Sequence, residues 1–159
     1  MKLSHVDEQG RARMVDVGEK PLSVRTAVAE GAVRMSRAAF EQVAAQTVAK
    51  GDVLAVAEVA GTMGAKRTSE LIPLCHPIIL DLVQVEARLE PELPGVRVNA
   101  LARATGKTGV EMEALTAVAV ACLTVYDMVK AIDRSMSIEE VRLVSKSGGT
   151  RGDWRRAES

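Results

Sequence analysis

The chain has 159 residues, 47% hydrophobic and 26% charged, with 21 Lys and Arg balancing 21 Asp and Glu. Those values suit one domain, residues 1–159, burying roughly 70% of the surface its unfolded chain exposes, and they exclude a wholly disordered chain. Zero net charge and only Phe40, Tyr126 and Trp154 as aromatics exclude both an overall basic field for nucleic acid and a platform of rings for stacking bases.

The first residues, "MKLSHVDEQG", lack the apolar run of a signal peptide, and Cys75 and Cys122 form no CxxC pair, which suits a reducing compartment. A cytoplasmic setting is expected, with residues 1–20 and 147–159 as mobile flanks. "MVDVGEKPLS" (14–23) reads as a loop or short strand, because Gly18 and Pro21 interrupt any regular element. Residues 24–35 hold an alternating, β-branched segment and predict a strand. Ser36 offers an N-cap for a helix through about Ala49, with Gly51 just beyond it. Asp52 can cap a second helix running to Leu71, in which Val56, Val59, Ala60 and Met63 recur at helical spacing and Pro73 enforces the stop.

Next, "SELIPLCHPIIL" (69–80) embeds Cys75 and His76 between Pro73 and Pro77 in an otherwise apolar run. "LDLVQVEARLEP" and "VRVNALARAT" alternate with period two around "ELPG" and predict a hairpin. The longest helix follows, about Gly109 to Arg134, and its apolar run "ALTAVAVACLTVY" is too short to span a membrane. "SIEEVRLVSKS" makes a last strand before the glycine-rich "KSGGTRGD". The order β-α-α-β-β-α-β predicts an α+β fold, an antiparallel sheet with helices on one face.

Three constellations carry chemistry. "ATGKTGVEMEALTA" sets a glycine-bearing turn before a helix, a place to cradle phosphate. It is no P-loop, because position 101 is Leu where that motif needs Gly. Glu111 and Glu113 in the helix's first turns suit its dipole, or a polar, guanine-like edge. In "YDMVK", Asp127 and Lys130 are three apart and share a face, as a surface ion pair or as a buried acid/base pair on an apolar helix. Cations fall near element ends: Lys50, Lys66, Arg67, Lys107, Lys130 and Lys146. Such positions suit helix dipoles or a polyphosphate, and the glycine-rich tail can bring Lys146 and Arg151 over an anion. The residues hold no HExxH and no Cys/His ligand spacing, so no metal site is expected. Glu113 and Asp127 point the same way from one helix but lie ~21 Å apart at 1.5 Å per residue. If both serve one small molecule, a second copy must bring the far end in.

"MVDVGEKP", "KGDV", "AKRTSELIPLCHPI", "TGKTGVEMEALTAVAVACLTVYDMVKAID" and "VRLVSKSGG", in this order, resemble the cyclic pyranopterin monophosphate synthase family, MoaC, of molybdenum cofactor biosynthesis. The resemblance runs over essentially the whole chain. It implies a ferredoxin-like fold, a homohexamer built as a trimer of dimers with active sites at the dimer interface, and no membrane or nucleic-acid partner. The implied substrate is 3',8-cyclo-7,8-dihydroguanosine 5'-triphosphate, rearranged to a pyranopterin with a cyclic phosphate and loss of pyrophosphate. By that likeness Leu74, Cys75, His76, Met112 and Glu113 lie along the substrate and Asp127 is catalytic. Lys50, Lys130 and Lys146 match the family's essential lysines, with Glu111, Lys66 and Arg25 as supporting positions. No redox cofactor is implied and none is required, although Mg²⁺ can travel with the triphosphate. A non-catalytic nucleotide sensor would use the same cations without needing an acid/base pair.

Overall fold

Alternation of apolar and polar residues produces the sheet. A computed structural model describes residues 6, 7 and 9–157, so the parts of the expected mobile flanks at 1–5, 8, 158 and 159 lie outside the described residues. The strands are β1 (Ser23–Arg34), β2 (Leu82–Glu90), β3 (Gly95–Gly106), β4 (Ser137–Ser147) and the short β5 (Trp154–Arg155). They form one sheet in the order β2-β3-β1-β4-β5, every pair antiparallel. The helices are α1 (Arg37–Ala44), α2 (Val53–Lys66), α3 (Thr68–Leu71) and α4 (Glu111–Val129). With β5 set aside, the chain reads βαββαβ with β1 and β3 central, which is the ferredoxin-like α+β arrangement.

One face of the sheet is core and the other is charged. Ala27, Ala29 and Val33 of β1 and Val96, Val98, Ala100, Ala102 and Ala104 of β3 are buried against α4. On the opposite face Arg142 pairs with Glu30 at 2.8 Å, and Arg97 reaches Glu90 at 3.4 Å and Glu140 at 3.5 Å. The helices therefore cover one face, as expected. The buried apolar set among the described residues is Val, Ala and Met with Cys122 and Phe40, while Leu and Ile pack around its margin. Edge strand β2 has one N–H satisfied from outside the sheet, Ala87 donating to Glu58 Oε1 of α2 at 2.9 Å.

Both strand runs and the hairpin fall where the alternation predicts them, but the helices differ. Ser36 does cap α1, accepting from the Ala39 N–H. That helix ends at Ala44 rather than Ala49, because Gln46 adopts φ 55° while its N–H donates to Val43 and that of Thr47 to Gln42. This is a Schellman closure with Gln in the left-handed position, and it turns Val48 into the core. The helix expected over 53–71 is broken at Arg67 (φ −110°), where the buried Thr68 hydroxyl donates to Ala65 O at 2.9 Å. Within α2, Val56, Val59 and Met63 recur at helical spacing, yet all three are exposed. The buried side is Val53, Ala57, Gly61, Gly64 and Ala65, since α2 presses too closely on α4 for larger side chains.

Helix α4 starts at Glu111 and ends at Val129, five residues short of the expected Arg134. Asp133 leaves the helical path to accept the Ser36 N–H at 2.7 Å and the Ser135 N–H at 2.8 Å. Its length and mean hydropathy of 1.6 would allow a membrane span. Its apolar residues are instead the protein core, with Ala114, Ala117, Val118, Ala121, Cys122, Val125 and Val129 at 0% exposure.

Candidate functional site

A cavity of about 310 Å³ opens at the N-terminal end of α4. Its floor is the β3–α4 turn, Lys107–Val110, and the first turn of the helix, Glu111–Glu113. One wall is Leu74, Cys75 and His76, half-buried in the segment that Pro73 and Pro77 stiffen. The prolines exclude regular secondary structure there, so the three side chains stand at a fixed height beside the helix. The other wall comes from the start of β1, with Arg25 and Thr26, and the end of β4, with Lys146 and Ser147. The rim is formed by Val15, Val17 and Lys20 before β1 and by Gly148, Thr150 and Arg151 after β4.

The electrostatics are lopsided. Lys20, Arg25, Lys107, Lys146 and Arg151 face two carboxylates, Glu111 and Glu113. Glu111 is engaged by Lys146 at 3.1 Å, and the Lys107 ammonium donates to the Gly18 carbonyl, tying the rim to the floor. Glu113 is only 3% exposed. Burial, reinforced by the nearby Glu111 carboxylate, lifts its pKa to about 7. Burial and the Glu113 charge also raise the Cys75 thiol, which disfavours its thiolate. The cavity is thus a cationic cup with one carboxyl poised between its two forms.

At the other end of α4, Asp127 sits between two ammonium groups. Lys130 Nζ donates to Oδ1 at 2.6 Å, and Lys50 Nζ donates to Oδ2 at 2.7 Å and to the Asp127 carbonyl at 2.9 Å. Those hydrogen bonds, Lys130 first, lower the Asp127 carboxyl to about 2. The side chains are about half exposed, 57% for Asp127, 51% for Lys130 and 48% for Lys50. Within one chain the group is therefore an exposed Lys-Asp-Lys triad.

Of the twelve expected positions, Arg25, Leu74, Cys75, His76, Glu111, Met112, Glu113 and Lys146 meet at the first cavity. Lys50, Asp127 and Lys130 meet at the triad. Lys66 joins neither and lines a separate cleft of about 780 Å³ beside β2, with Glu58, Met63 and Val85. Because α4 is unbroken from Glu111 to Val129, the two groups stay ~21 Å apart within one chain. Between them α4 carries the half-buried Leu115 and Ala119 and the 58%-exposed Leu123, and α2 carries the exposed Val56, Val59 and Met63. Sequence reasoning passed over Lys20, whose signal was only its place in "MVDVGEKP". Lys107 and Arg151 stood out as cations but not as members of this cavity. Among the described residues no three His, Cys, Asp or Glu are grouped to hold a metal.

Residues 14–149 match the family described as the MoaC family. Proteins of Brucella ovis and Brucella abortus, both named cyclic pyranopterin monophosphate synthase, are 58% identical over 153 residues, spanning 96% of this chain and 93% of theirs. A Brucella suis protein of the same name is 57% identical over the same spans.

Proposed function

The chain belongs to the MoaC family, an enzyme family of molybdenum cofactor biosynthesis, and from that premise we propose that it carries out the reaction its relatives are named for. Its substrate is 3',8-cyclo-7,8-dihydroguanosine 5'-triphosphate, which it converts to cyclic pyranopterin monophosphate with release of pyrophosphate. The observation that carries this reading is the pairing of a cationic cavity around a buried, near-neutral carboxyl with a second, ammonium-rich group on the same helix.

The residues suit the chemistry step by step. Lys20, Arg25, Lys107 and Lys146 offer fixed positive charge to a triphosphate and to the pyrophosphate that leaves. Glu113 can accept from, or when protonated donate to, the N–H and carbonyl edge of a guanine-derived ring, with His76 and Leu74 along its flank. Asp127 is ionised throughout the neutral range, so its first task is to hold Lys50 and Lys130 at fixed points. Those lysines are the groups positioned to move protons as one ring opens and another closes. Mg²⁺, where present, would travel with the phosphates.

Neither group suffices alone at ~21 Å. The exposed Leu123 of α4 and the exposed Val56, Val59 and Met63 of α2 suit a two-fold contact between copies, α4 against α4 in opposite directions, which would set each Glu113 end against its partner's Asp127 end. We therefore include a dimeric unit with shared sites, within a trimer of dimers, in the proposal. Free Cys75 and Cys122 suit work in the reducing cytoplasm. Release of pyrophosphate from the cyclised dihydro-GTP nucleotide is the direct test. Wild type should turn over, Asp127→Asn and Lys130→Ala should each lose at least about a hundredfold while keeping the wild-type Tm, and full rate in either variant would refute the assignment. A nucleotide sensor would bind without releasing pyrophosphate.

A further inference from the structure

Arg151 borders the cavity, and neither the family resemblance nor the reaction proposed above gives it a part, although the glycine-rich tail can bring it over an anion. The reason to look there is Arg25. It is 9% exposed, its Nε has no hydrogen-bond partner among the described residues, and its Nη2 donates only weakly, to the Lys107 carbonyl at 3.4 Å. A buried guanidinium is always charged and needs an anion to offset its lost hydration. Over it lies the loop Gly148–Asp153. Gly149 has φ +83°, and a Cβ on it would stand 1.7 Å from Arg25 Nη1. The loop backbone therefore rests on the guanidinium, and only glycine fits there.

The loop is closed at its base. The Gly148 N–H donates to Asp153 Oδ1 at 3.0 Å, the Gly152 N–H donates to the Gly149 carbonyl at 3.3 Å, and Lys146 pairs with Trp154 across β4 and β5. Its tip, Thr150 and the exposed Arg151, borders the cavity that Arg25 lines from beneath. The cavity's own carboxylates are otherwise engaged, Glu111 by Lys146 and Glu113 by burial.

We propose that Arg151 is a further ligand-binding residue, which closes with Arg25 on one phosphate-class anion, and that Gly149 is the positioning residue that seats its loop. This rests on the polyphosphate part of the reading above. Inorganic tripolyphosphate, titrated calorimetrically into the intact protein, tests it without requiring turnover. Arg151→Ala should weaken binding about tenfold, the worth of one partly exposed charge-assisted contact, and should flatten its dependence on salt. Arg151→Lys should recover part of the loss, because it keeps the charge but not the planar fork. Gly149→Ala should weaken binding at least as much as Arg151→Ala.

Tripolyphosphate affinity of Arg151→Ala within threefold of wild type, or no binding by wild type, would overturn the proposal. If wild type binds tripolyphosphate through Arg151 yet releases no pyrophosphate from the cyclised nucleotide, the reaction assignment fails and the role of Arg151 stands. If wild type turns over but its tripolyphosphate affinity is indifferent to Arg151, the reaction assignment stands and the role of Arg151 fails.

Discussion

Glu113 and Asp127 are acids on one helix, yet their surroundings drive them in opposite directions, to about 7 and about 2. For Glu113 the folded value exceeds the ordinary 4.5, so the folded state holds the proton more tightly than the unfolded chain does. Its contribution to stability is complete below pH 4.5 and is lost as pH rises to about 7. Asp127 has the opposite sign, and its contribution is lost only as pH falls from 3.8 towards 2, outside that window. Urea unfolding of Glu113→Gln should therefore come within about 1 kcal/mol of wild type near pH 5 and exceed it by about 3 kcal/mol near pH 8; an equal gain at both values would refute the buried-acid account. Much of the site was legible at this scale, since the motifs supplied both carboxylates and most of the cations. That Glu113 is buried with a raised pKa was not legible, because burial of a residue in a helix's first turn depends on what the fold stacks over it. Lys20 escaped for a similar reason, its place at the rim being set by the Lys107 bond to Gly18.

The elements were legible wherever one face is buried and the other wet. The strand alternation gives β1, the hairpin and β4 to within a residue or two, because a sheet with one charged face forces that period. Helix α2 misled because hydrophobicity there does not mark the core. Its inner side is chosen for thinness, and the larger apolar residues face out. A Cβ on Gly61 would lie 2.8 Å from the Ala117 carbonyl oxygen of α4, and one on Gly64 would lie 2.9 Å from Val120 Cβ. Helix propensity alone would reward Gly→Ala by up to about 1 kcal/mol. The contact reverses that sign, and Gly61→Ala should destabilise by about 1–3 kcal/mol in urea unfolding. Gly64→Ala should lose less and be rescued in part by Val120→Ala, which removes the Val120 Cγ2 that would stand at 2.8 Å but leaves the Cβ at 2.9 Å. Val120→Ala should not rescue Gly61→Ala, because the obstacle there is backbone. A stabilising Gly61→Ala would refute close α2–α4 packing.

For the whole molecule, the proposed division of the site between the two ends of α4 makes the quaternary arrangement a matter of counting. In the proposed two-fold pair, each site would draw its Glu113 end from one copy and its Asp127 end from the other. Take one variant inactivated by Asp127→Asn and one inactivated at the other end, at Glu113 or His76. Each mixed pair then contains one site with both ends intact and one site with both ends altered. Equal amounts that exchange freely form mixed pairs half the time, so about a quarter of wild-type activity should reappear from two inactive parents. The fraction does not depend on whether pairs assemble further into a hexamer, since each site still samples one pair. Sites contained within a single chain would give only the sum of the parents, as would an interface that joins like ends. Replacing Leu123 by Glu should abolish the recovery, because it sets a charge at an exposed apolar position where the two copies of α4 would meet. It should also convert the assembly to smaller species in sedimentation, while each chain keeps its own core, which Leu123 does not enter. Recovery that persists in Leu123→Glu would locate the shared surface elsewhere on the molecule.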